Sequence, residues 1–172
     1  AKVRGWLKPA LEGNDIGIVS EAGCPGVADP GAQIAAEAHK LGIRVVPLVG
    51  PSSILLALMA SGMDGQHFRF CGYLPIKEPA RTNAIKDLER KSASSEGETQ
   101  LFIETPYRNS GILADLVKNC APTTLILAAT DISGPEERIR TFSAADWKKQ
   151  DLSLPKLPTV FGILGAKRAR RA

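Results

Sequence analysis

Residues 15–48 read DIGIVSEAGCPGVADPGAQIAAEAHKLGIRVVPL, and the order of elements in this stretch predicts the fold class. The apolar start DIGIVS predicts a short strand, and a glycine-proline loop follows it. We expect Asp29 to cap a helix with Pro30 at its first position and Gly42 just after its end. IRVVPL (43–48) then predicts a second buried strand. Strand, helix and strand in this order are typical of an α/β fold with a right-handed crossover.

The same alternation of apolar runs and helical patterns continues along the chain. GPSS leads into an apolar helix, ILLALMAS, and a charged helix is expected at roughly 80–91. Pro75 and Pro79 flank a polar linker, so we place a domain boundary near residue 75. Further strands are predicted at QLFIE (100–104), TLILAA (124–129), RIRTF (138–142) and PTVFGIL (158–164). We therefore expect two α/β domains, residues 1–75 and 76–172.

The composition is that of a globular protein. The chain has 172 residues, of which 44% are hydrophobic and 23% charged. Its net charge of +4 comes from the tail AKRARRA: without Lys167, Arg168, Arg170 and Arg171, basic and acidic residues are equal in number at 18. Attraction to phosphate must then come from a local patch or from the tail. No apolar run has membrane-spanning length and no signal-peptide pattern is present, so we expect a cytoplasmic protein with no membrane association.

Cysteine, histidine and motif content exclude several common kinds of site. Cys24, Cys71 and Cys120 are too far apart for a CxxC metal pair and odd in number for a disulfide framework. Neither His39 nor His67 lies in an HExxH context, so no metal is expected. The sequence also lacks GxGxxG, GxxxxGKS/T and GxSxG, the usual signatures of dinucleotide binding, nucleoside triphosphate binding and serine hydrolysis.

Three loops rich in small residues follow predicted strands and are candidates for a ligand site. They are Ser20, Glu21, Ala22, Gly23, Cys24 and Pro25; Gly50, Pro51, Ser52 and Ser53; and Glu104, Thr105 and Pro106. In open α/β sheets, ligands bind beyond the carboxyl ends of the strands, where small residues let the backbone approach a ligand. Each loop can also be explained as a turn or a helix cap. Glu21 and Glu104 could form a catalytic pair or accept hydrogen bonds from ribose hydroxyls or amines, and their spacing does not decide between these roles.

The order and spacing of these segments resemble a known family. VSEAGCPGVADPG, IRVVPLVGPSSILLALMASG, FRFCGYLP and LFIETPYR together look like the tetrapyrrole methylase superfamily of S-adenosylmethionine-dependent methyltransferases. Within it they are most similar to the branch that methylates small-subunit ribosomal RNA, whose pattern is approximately SDAGTP, DPG, VVPLPGPSA, GFLP and ESPHR. The match is dense from residue 16 to about residue 108 and weaker from there to the closing strand.

The resemblance implies a fold, a cofactor and a set of site residues. The fold would be two α/β domains of the tetrapyrrole methylase type, with S-adenosylmethionine in the cleft between them, in a homodimer. The donor-binding residues implied are Ser20, Glu21, Ala22, Gly23, Cys24, Pro25, Gly50, Pro51, Ser52, Ser53, Glu104, Thr105, Ala129 and Ile132. Residues that would contact the acceptor are Lys77, Arg81, Tyr107 and Arg108. Glu21 and Glu104 are candidates for a catalytic base by residue type only.

Departures from the branch pattern keep three functions open. Glu21, Cys24 and Tyr107 stand where the branch has Asp, Thr and His. The first hypothesis is a methyltransferase that acts on the ribose 2′-hydroxyl of a cytidine in small-subunit ribosomal RNA. The second is a tetrapyrrole (corrin or porphyrin) methyltransferase. The third is a module that binds the donor or RNA without catalysis. The family's glycine-rich first strand has no match here, so we expect this chain to lack it and not to be fully active.

Overall fold

A computed structural model describes residues 2–21, 23–94 and 97–166. The chain divides into two compact units, Ala1–Ser52 and Ser53–Ala172. The boundary predicted near residue 75 thus falls inside the second unit, because the segments just before it pack on the sheet of that unit. The division into α/β domains 1–75 and 76–172 stays a prediction. The basic tail residues 167–172 lie outside the described residues.

The regular structure of the first unit is helical. Its helices are α1 (Lys2–Trp6), α2 (Lys8–Leu11) and α3 (Ala32–Lys40), and α1 packs against α3. The chain enters α3 through Gly31, whose φ of 143° suits glycine and strains other residues. The predicted start of this helix was therefore wrong. Gly31 is the N-cap, without a side-chain hydrogen bond, and both Asp29 and Pro30 precede the helix.

The two strands predicted in the first unit are not formed. Residues 15–20 and 43–48 have no regular secondary structure, and Val19 and Leu48 are 90% and 86% exposed. An extended apolar segment becomes a strand only when a neighbouring backbone completes its hydrogen bonds. Within residues 2–21 and 23–52 neither segment has such a partner, which is why the prediction failed.

The second unit is built on a five-stranded sheet. Its strands are β1 (Phe68–Tyr73), β2 (Thr99–Glu104), β3 (Leu125–Thr130), β4 (Arg138–Ser143) and β5 (Thr159–Leu164). They lie in the order β1-β2-β5-β3-β4; β1 and β2 are parallel, and every other neighbouring pair is antiparallel. The predicted strands at 100–104, 124–129, 138–142 and 158–164 are confirmed as β2 to β5. β1, which lies in the segment FRFCGYLP, was not predicted from the sequence.

Helices cover both faces of this sheet. They are α4 (Ser53–Ser61), α5 (Ala80–Ser92), α6 (Asn109–Asn119) and α7 (Ala144–Trp147), with a 3-10 turn at Pro106–Arg108. α4 packs on one face, and α5, α6 and α7 pack on the other. The helices predicted after GPSS and at roughly 80–91 are confirmed.

Two apolar clusters hold the layers together. Under α4 the buried residues are Ile54, Ala57, Leu58, Leu101, Leu127, Ala129 and Val160. The larger cluster on the opposite face includes Phe102 and Phe161, whose rings stack with centroids 5.6 Å apart. Gly162 lies on the α4 face, where a Cβ would come within 3.1 Å of Leu101 and 3.2 Å of Leu127. Each fully buried apolar side chain stabilises the fold by about 1.5–3 kcal/mol, so the sheet is a firm support for the loops at its ends.

Two kinds of feature are absent from the described ranges 2–21, 23–94 and 97–166. No helix there has both the length and the apolar character needed to cross a membrane. In the same ranges, no three His, Cys, Asp or Glu side chains are placed where they could hold a metal ion together.

Candidate functional site

The first two predicted loops meet within the first unit. The Cys24 thiol donates to the carbonyl oxygen of Pro51 at 3.4 Å, and the carbonyl oxygen of Gly50 lies 3.8 Å from the same sulfur. Gly23 has a φ of 84°, a left-handed conformation that glycine adopts without strain. Ala22 lies outside the described residues. The thiol contact thus brings together two loops that are distant in sequence.

The exposure of these loops indicates what a ligand would touch. Glu21, Gly50 and Pro51 are exposed, Cys24 is half-buried, and Ser52 is buried. Glycine and proline leave little side chain between the backbone and solvent, so a ligand here would meet mainly backbone carbonyl and amide groups. The remaining members of the two loops are Ser20 and Pro25 in the first unit and Ser53, which opens α4 in the second.

Glu104 ends β2 with a buried carboxylate that is only partly satisfied. Its residue is 4% exposed, and Oε2 accepts hydrogen bonds from the backbone N–H of Thr105 at 2.9 Å and its hydroxyl at 3.4 Å. The same oxygen forms an ion pair with the guanidinium of Arg108 at 3.2 Å. Oε1 is also buried and has no hydrogen-bond partner among the described residues. A buried polar atom without a partner costs free energy, so Oε1 is an open acceptor for a ligand's donor group.

Asn109, the first residue of α6, is a buried polar residue that was not predicted from the sequence. Its Nδ2 donates to the carbonyl oxygens of Pro155 at 3.2 Å and Leu157 at 2.8 Å. It also donates to the Thr159 hydroxyl at 2.9 Å. These partners lie 46 to 50 residues away in sequence, so no local pattern could have revealed the contacts.

A polar cluster forms around Thr159, at the end of the sheet where β5 begins and its neighbours β2 and β3 end. Thr159 lies opposite Glu104 on β2 and opposite Thr130 on β3, and the two threonine hydroxyls are 3.0 Å apart. Asn109 Oδ1 is buried and, like Glu104 Oε1, has no hydrogen-bond partner among the described residues. Two open acceptors, Glu104 Oε1 and Asn109 Oδ1, therefore lie beside the start of the central strand β5.

Ala129 and Ile132 lie at the end of β3 and just beyond it. The Ala129 side chain is fully buried under α4, and Ile132 packs against the same cluster. Between them the chain turns at Asp131, which has a φ of 51°. The backbone N–H of Asp131 donates to the carbonyl oxygen of Pro158 at 2.9 Å, and its carboxylate accepts from the backbone N–H of Glu136 at 2.9 Å. These contacts fix the turn, so this position can offer backbone groups to a ligand.

Most of the predicted acceptor residues line one recess of the second unit. Its lining is Arg81, Tyr107, Arg108, Gly111, Ile112 and Asp115. Arg81 forms ion pairs with Asp115 at 2.7 Å and with Glu78 at 3.0 Å. Arg108 is paired with Glu104. The two arginines are therefore already balanced by carboxylates of the same unit.

Two lysines near this recess form no ion pair within the part of the chain that the structure describes. Lys77 is exposed shortly before α5. Lys156 is exposed between the carbonyls that Asn109 binds, and its Nζ lies 5.4 Å from the centre of the Tyr107 ring. Lys156 was not predicted, because it comes near Tyr107 only through the fold.

Thiol labelling is expected to distinguish the three cysteines. Burial, and to a lesser degree the nearby carboxylate of Glu89, together raise the pKa of the Cys120 thiol to about 12. Burial also raises the pKa of Cys71. The thiolate is the reactive form, so iodoacetamide at pH 8 should modify Cys24 first and Cys120 last, as mass spectrometry of timed samples can measure. Equal rates for Cys24 and Cys120 in the folded protein would contradict this placement.

A family model and the curated relatives both match methyltransferases. The family described as Tetrapyrrole (Corrin/Porphyrin) Methylases matches residues 1–147. Ribosomal RNA small subunit methyltransferase I of Escherichia coli O157:H7 is 32% identical over 169 residues, which cover 96% of this chain and 57% of that protein. The protein of the same name from Pseudomonas aeruginosa is 33% identical over 142 residues, covering 81% and 49%. The chain thus spans about half the length of the curated relatives it matches.

Solved structures give the same picture at the level of the fold. The methyltransferase CobJ matches with a TM-score of 0.61 and 24% identity, over 99% of this chain and 72% of that one. Uroporphyrin-III C-methyltransferase from Thermus thermophilus, complexed with S-adenosylhomocysteine, matches with a TM-score of 0.54 and 16% identity. That match covers 94% of this chain and 71% of the other. At these identities the likeness establishes the fold.

Proposed function

We infer the function from family membership, for this chain belongs to the tetrapyrrole (corrin/porphyrin) methylases. We propose that it acts in S-adenosylmethionine-dependent methyl transfer to small-subunit ribosomal RNA. The names of the relatives support the acceptor, and a protein of the same fold binds S-adenosylhomocysteine, the product of the donor. The observation that carries the proposal is the contact of the two glycine-proline loops through Cys24 and Pro51. A homodimer in the cytoplasm is part of the same proposal.

We propose as donor-binding residues those that the family resemblance implies. They are Ser20, Glu21, Ala22, Gly23, Cys24, Pro25, Gly50, Pro51, Ser52, Ser53, Glu104, Thr105, Ala129 and Ile132. The open acceptor Glu104 Oε1 supports this assignment, since the donor molecule carries an ammonium group and ribose hydroxyls that can donate. The exposed backbone of the loops at Gly50 and Pro51 supports it as well.

Methyl transfer depends mainly on how the donor and the acceptor are positioned. When bound, S-adenosylmethionine supplies an electrophilic methyl group, which an acceptor oxygen takes by in-line displacement, leaving S-adenosylhomocysteine. Fixed loops can promote such a step by orientation alone. Glu104 Oε2 is already engaged by Thr105 and Arg108, so we assign Glu104 to ligand binding. Glu21 is exposed and is the candidate to take the proton of the acceptor hydroxyl.

Titration calorimetry with S-adenosylmethionine and S-adenosylhomocysteine tests the donor site. A Cβ at Gly50 would meet no atom within 4 Å, so Gly50→Phe attaches a ring beside the loop contact at a point with free space around it. We expect the dissociation constant to rise about 5- to 150-fold, because a ligand that must displace the ring loses about 1–3 kcal/mol.

The matched control for this titration is Gly65→Phe. Gly65 lies in the second unit and also has no atom within 4 Å of its Cβ position, so this variant should bind like the unmodified chain. Equal affinities of Gly50→Phe and the unmodified chain would contradict the proposed loop site. Absence of any binding by the unmodified chain would contradict donor binding by this chain.

Transfer of labelled methyl groups to small-subunit ribosomal RNA tests the acceptor. The proposal predicts label in the RNA and, after nuclease digestion, in 2′-O-methylcytidine. Label on a base would contradict the ribose assignment. The likeness to CobJ and uroporphyrin-III C-methyltransferase supports a second candidate, a tetrapyrrole acceptor. A shift of a porphyrinoid absorption band on titration, without methyl transfer to RNA, would favour that candidate.

A further inference from the structure

We propose that Tyr107 and Lys156 form a nucleotide subsite for the RNA acceptor. The tyrosine ring would stack on an unpaired base, and the lysine would neutralise a neighbouring phosphate. This inference rests on the proposed function for its ligand and adds Lys156, which no sequence motif selects. It also separates the role of Tyr107, base stacking, from that of Arg108, which pairs with Glu104.

The exposure of Tyr107 is the first observation. The residue lies in the 3-10 turn directly after β2 and is 82% exposed, although tyrosine rings usually bury much of their surface. An exposed ring on a fixed turn is the feature on which proteins stack single-stranded bases. The Lys156 Nζ lies over one face of the ring, 5.4 Å from its centre, so a base would stack on the opposite face with a positive charge close by.

The distribution of charge selects Lys156 as the phosphate contact. Arg81 and Arg108 line the recess next to Tyr107, but their guanidinium groups are paired with Asp115, Glu78 and Glu104. Using either arginine for phosphate would leave a carboxylate without its partner. Lys156 has no ion pair among the described residues, so its charge is available at no such cost.

The backbone around Lys156 is fixed to the helix that follows Tyr107. Asn109 donates to the carbonyl oxygens of Pro155 and Leu157, the residues on either side of Lys156. One position further, the backbone N–H of Leu154 donates to the hydroxyl of Ser110 at 2.9 Å. The backbone segments that carry the ring and the lysine are therefore tied to each other before any ligand arrives, which lowers the entropy lost on binding.

Fluorescence anisotropy with a labelled single-stranded ribonucleotide 10-mer of alternating C and U tests the subsite. We expect Tyr107→Ala to raise the dissociation constant about 5- to 100-fold at every salt concentration, and Tyr107→Phe to keep the affinity because it keeps the ring. Lys156→Gln should instead lower the slope of log affinity against log salt by about 0.7. Lys118→Gln, at an exposed lysine of α6, is the matched control and should change neither quantity.

The outcomes separate this inference from the proposed function. If the unmodified chain binds the 10-mer and Tyr107→Ala binds it equally well, the subsite is wrong while RNA as acceptor stands. If the unmodified chain binds no RNA, both the subsite and the RNA acceptor are overturned. If Tyr107→Ala loses a porphyrinoid and not the 10-mer, the ring serves a tetrapyrrole and the inference is wrong. Unchanged circular dichroism of each variant shows that the fold is retained.

Discussion

Replacing Trp147 by alanine is expected to lower the free energy of unfolding of the second unit by about 3–5 kcal/mol. Trp147 is fully buried at the end of α7, and its indole N–H donates to the carbonyl oxygen of Ile126 at 2.8 Å. The ring packs edge-on against Phe142, with centroids 5.1 Å apart, and under the guanidinium of Arg140 at 4.7 Å. Truncation therefore leaves a large cavity and removes a buried hydrogen bond in one step.

Urea denaturation followed by circular dichroism measures this loss. The matched control is Trp6→Ala, because Trp6 is the other tryptophan of the chain and is 54% exposed in the first unit. We expect the control to change the free energy of unfolding by less than about 1 kcal/mol. A Trp147→Ala variant as stable as the control would show that α7 does not pack as described.

The second large effect is expected for Asn109→Ala. The substitution removes the donor that three acceptors share: the buried hydroxyl of Thr159 and the partly buried carbonyl oxygens of Pro155 and Leu157. Buried acceptors left without a donor cost more than the net value of the bond that held them, so we expect a loss of about 2–4 kcal/mol. Thermal and urea unfolding monitored by circular dichroism measure it.

The control for this prediction lies at the other end of the same helix. Asn119 also donates through Nδ2, but only to the carbonyl oxygen of Asp115 at 2.8 Å, and it is half-buried. Asn119→Ala should therefore cost about 0.5–1.5 kcal/mol, the net value of one such bond. Equal losses for the two variants would mean that the hydrogen bonds of Asn109 contribute no more to the free energy of unfolding than the single bond of Asn119.

The sequence predicts the second unit much better than the first. The strands at 100–104, 124–129 and 158–164 are apolar runs that other strands flank on both sides, so pattern and structure agree. The runs at 15–20 and 43–48 are just as apolar, but a strand also needs a neighbouring backbone, which composition does not reveal. β1 was missed because FRFCGY mixes an arginine and a glycine into its apolar residues.

In the candidate site, too, some features can be predicted from the sequence and others cannot. The glycine-proline loops are readable from sequence because their residue types follow from the need for a close backbone approach, and the contact of Cys24 with Pro51 brings them together. The pairing of Arg108 with Glu104 was not foreseen, although the spacing of four residues permits it. Lys156 and Asn109 could not be selected at all, since their partners are set by the path of the chain between α7 and β5.

The central position of β5 has a consequence for how the protein is made. β5 follows β1 to β4 in sequence, yet it is the strand that joins the β1-β2 pair to the β3-β4 pair. During synthesis, at about 5–20 residues per second, the two pairs have no common sheet until residues 159–164 have left the ribosome. Their apolar edges are open for the seconds that this takes, and nascent chains that meet in this interval can pair through them. The yield of folded protein is therefore expected to depend on how quickly one strand arrives.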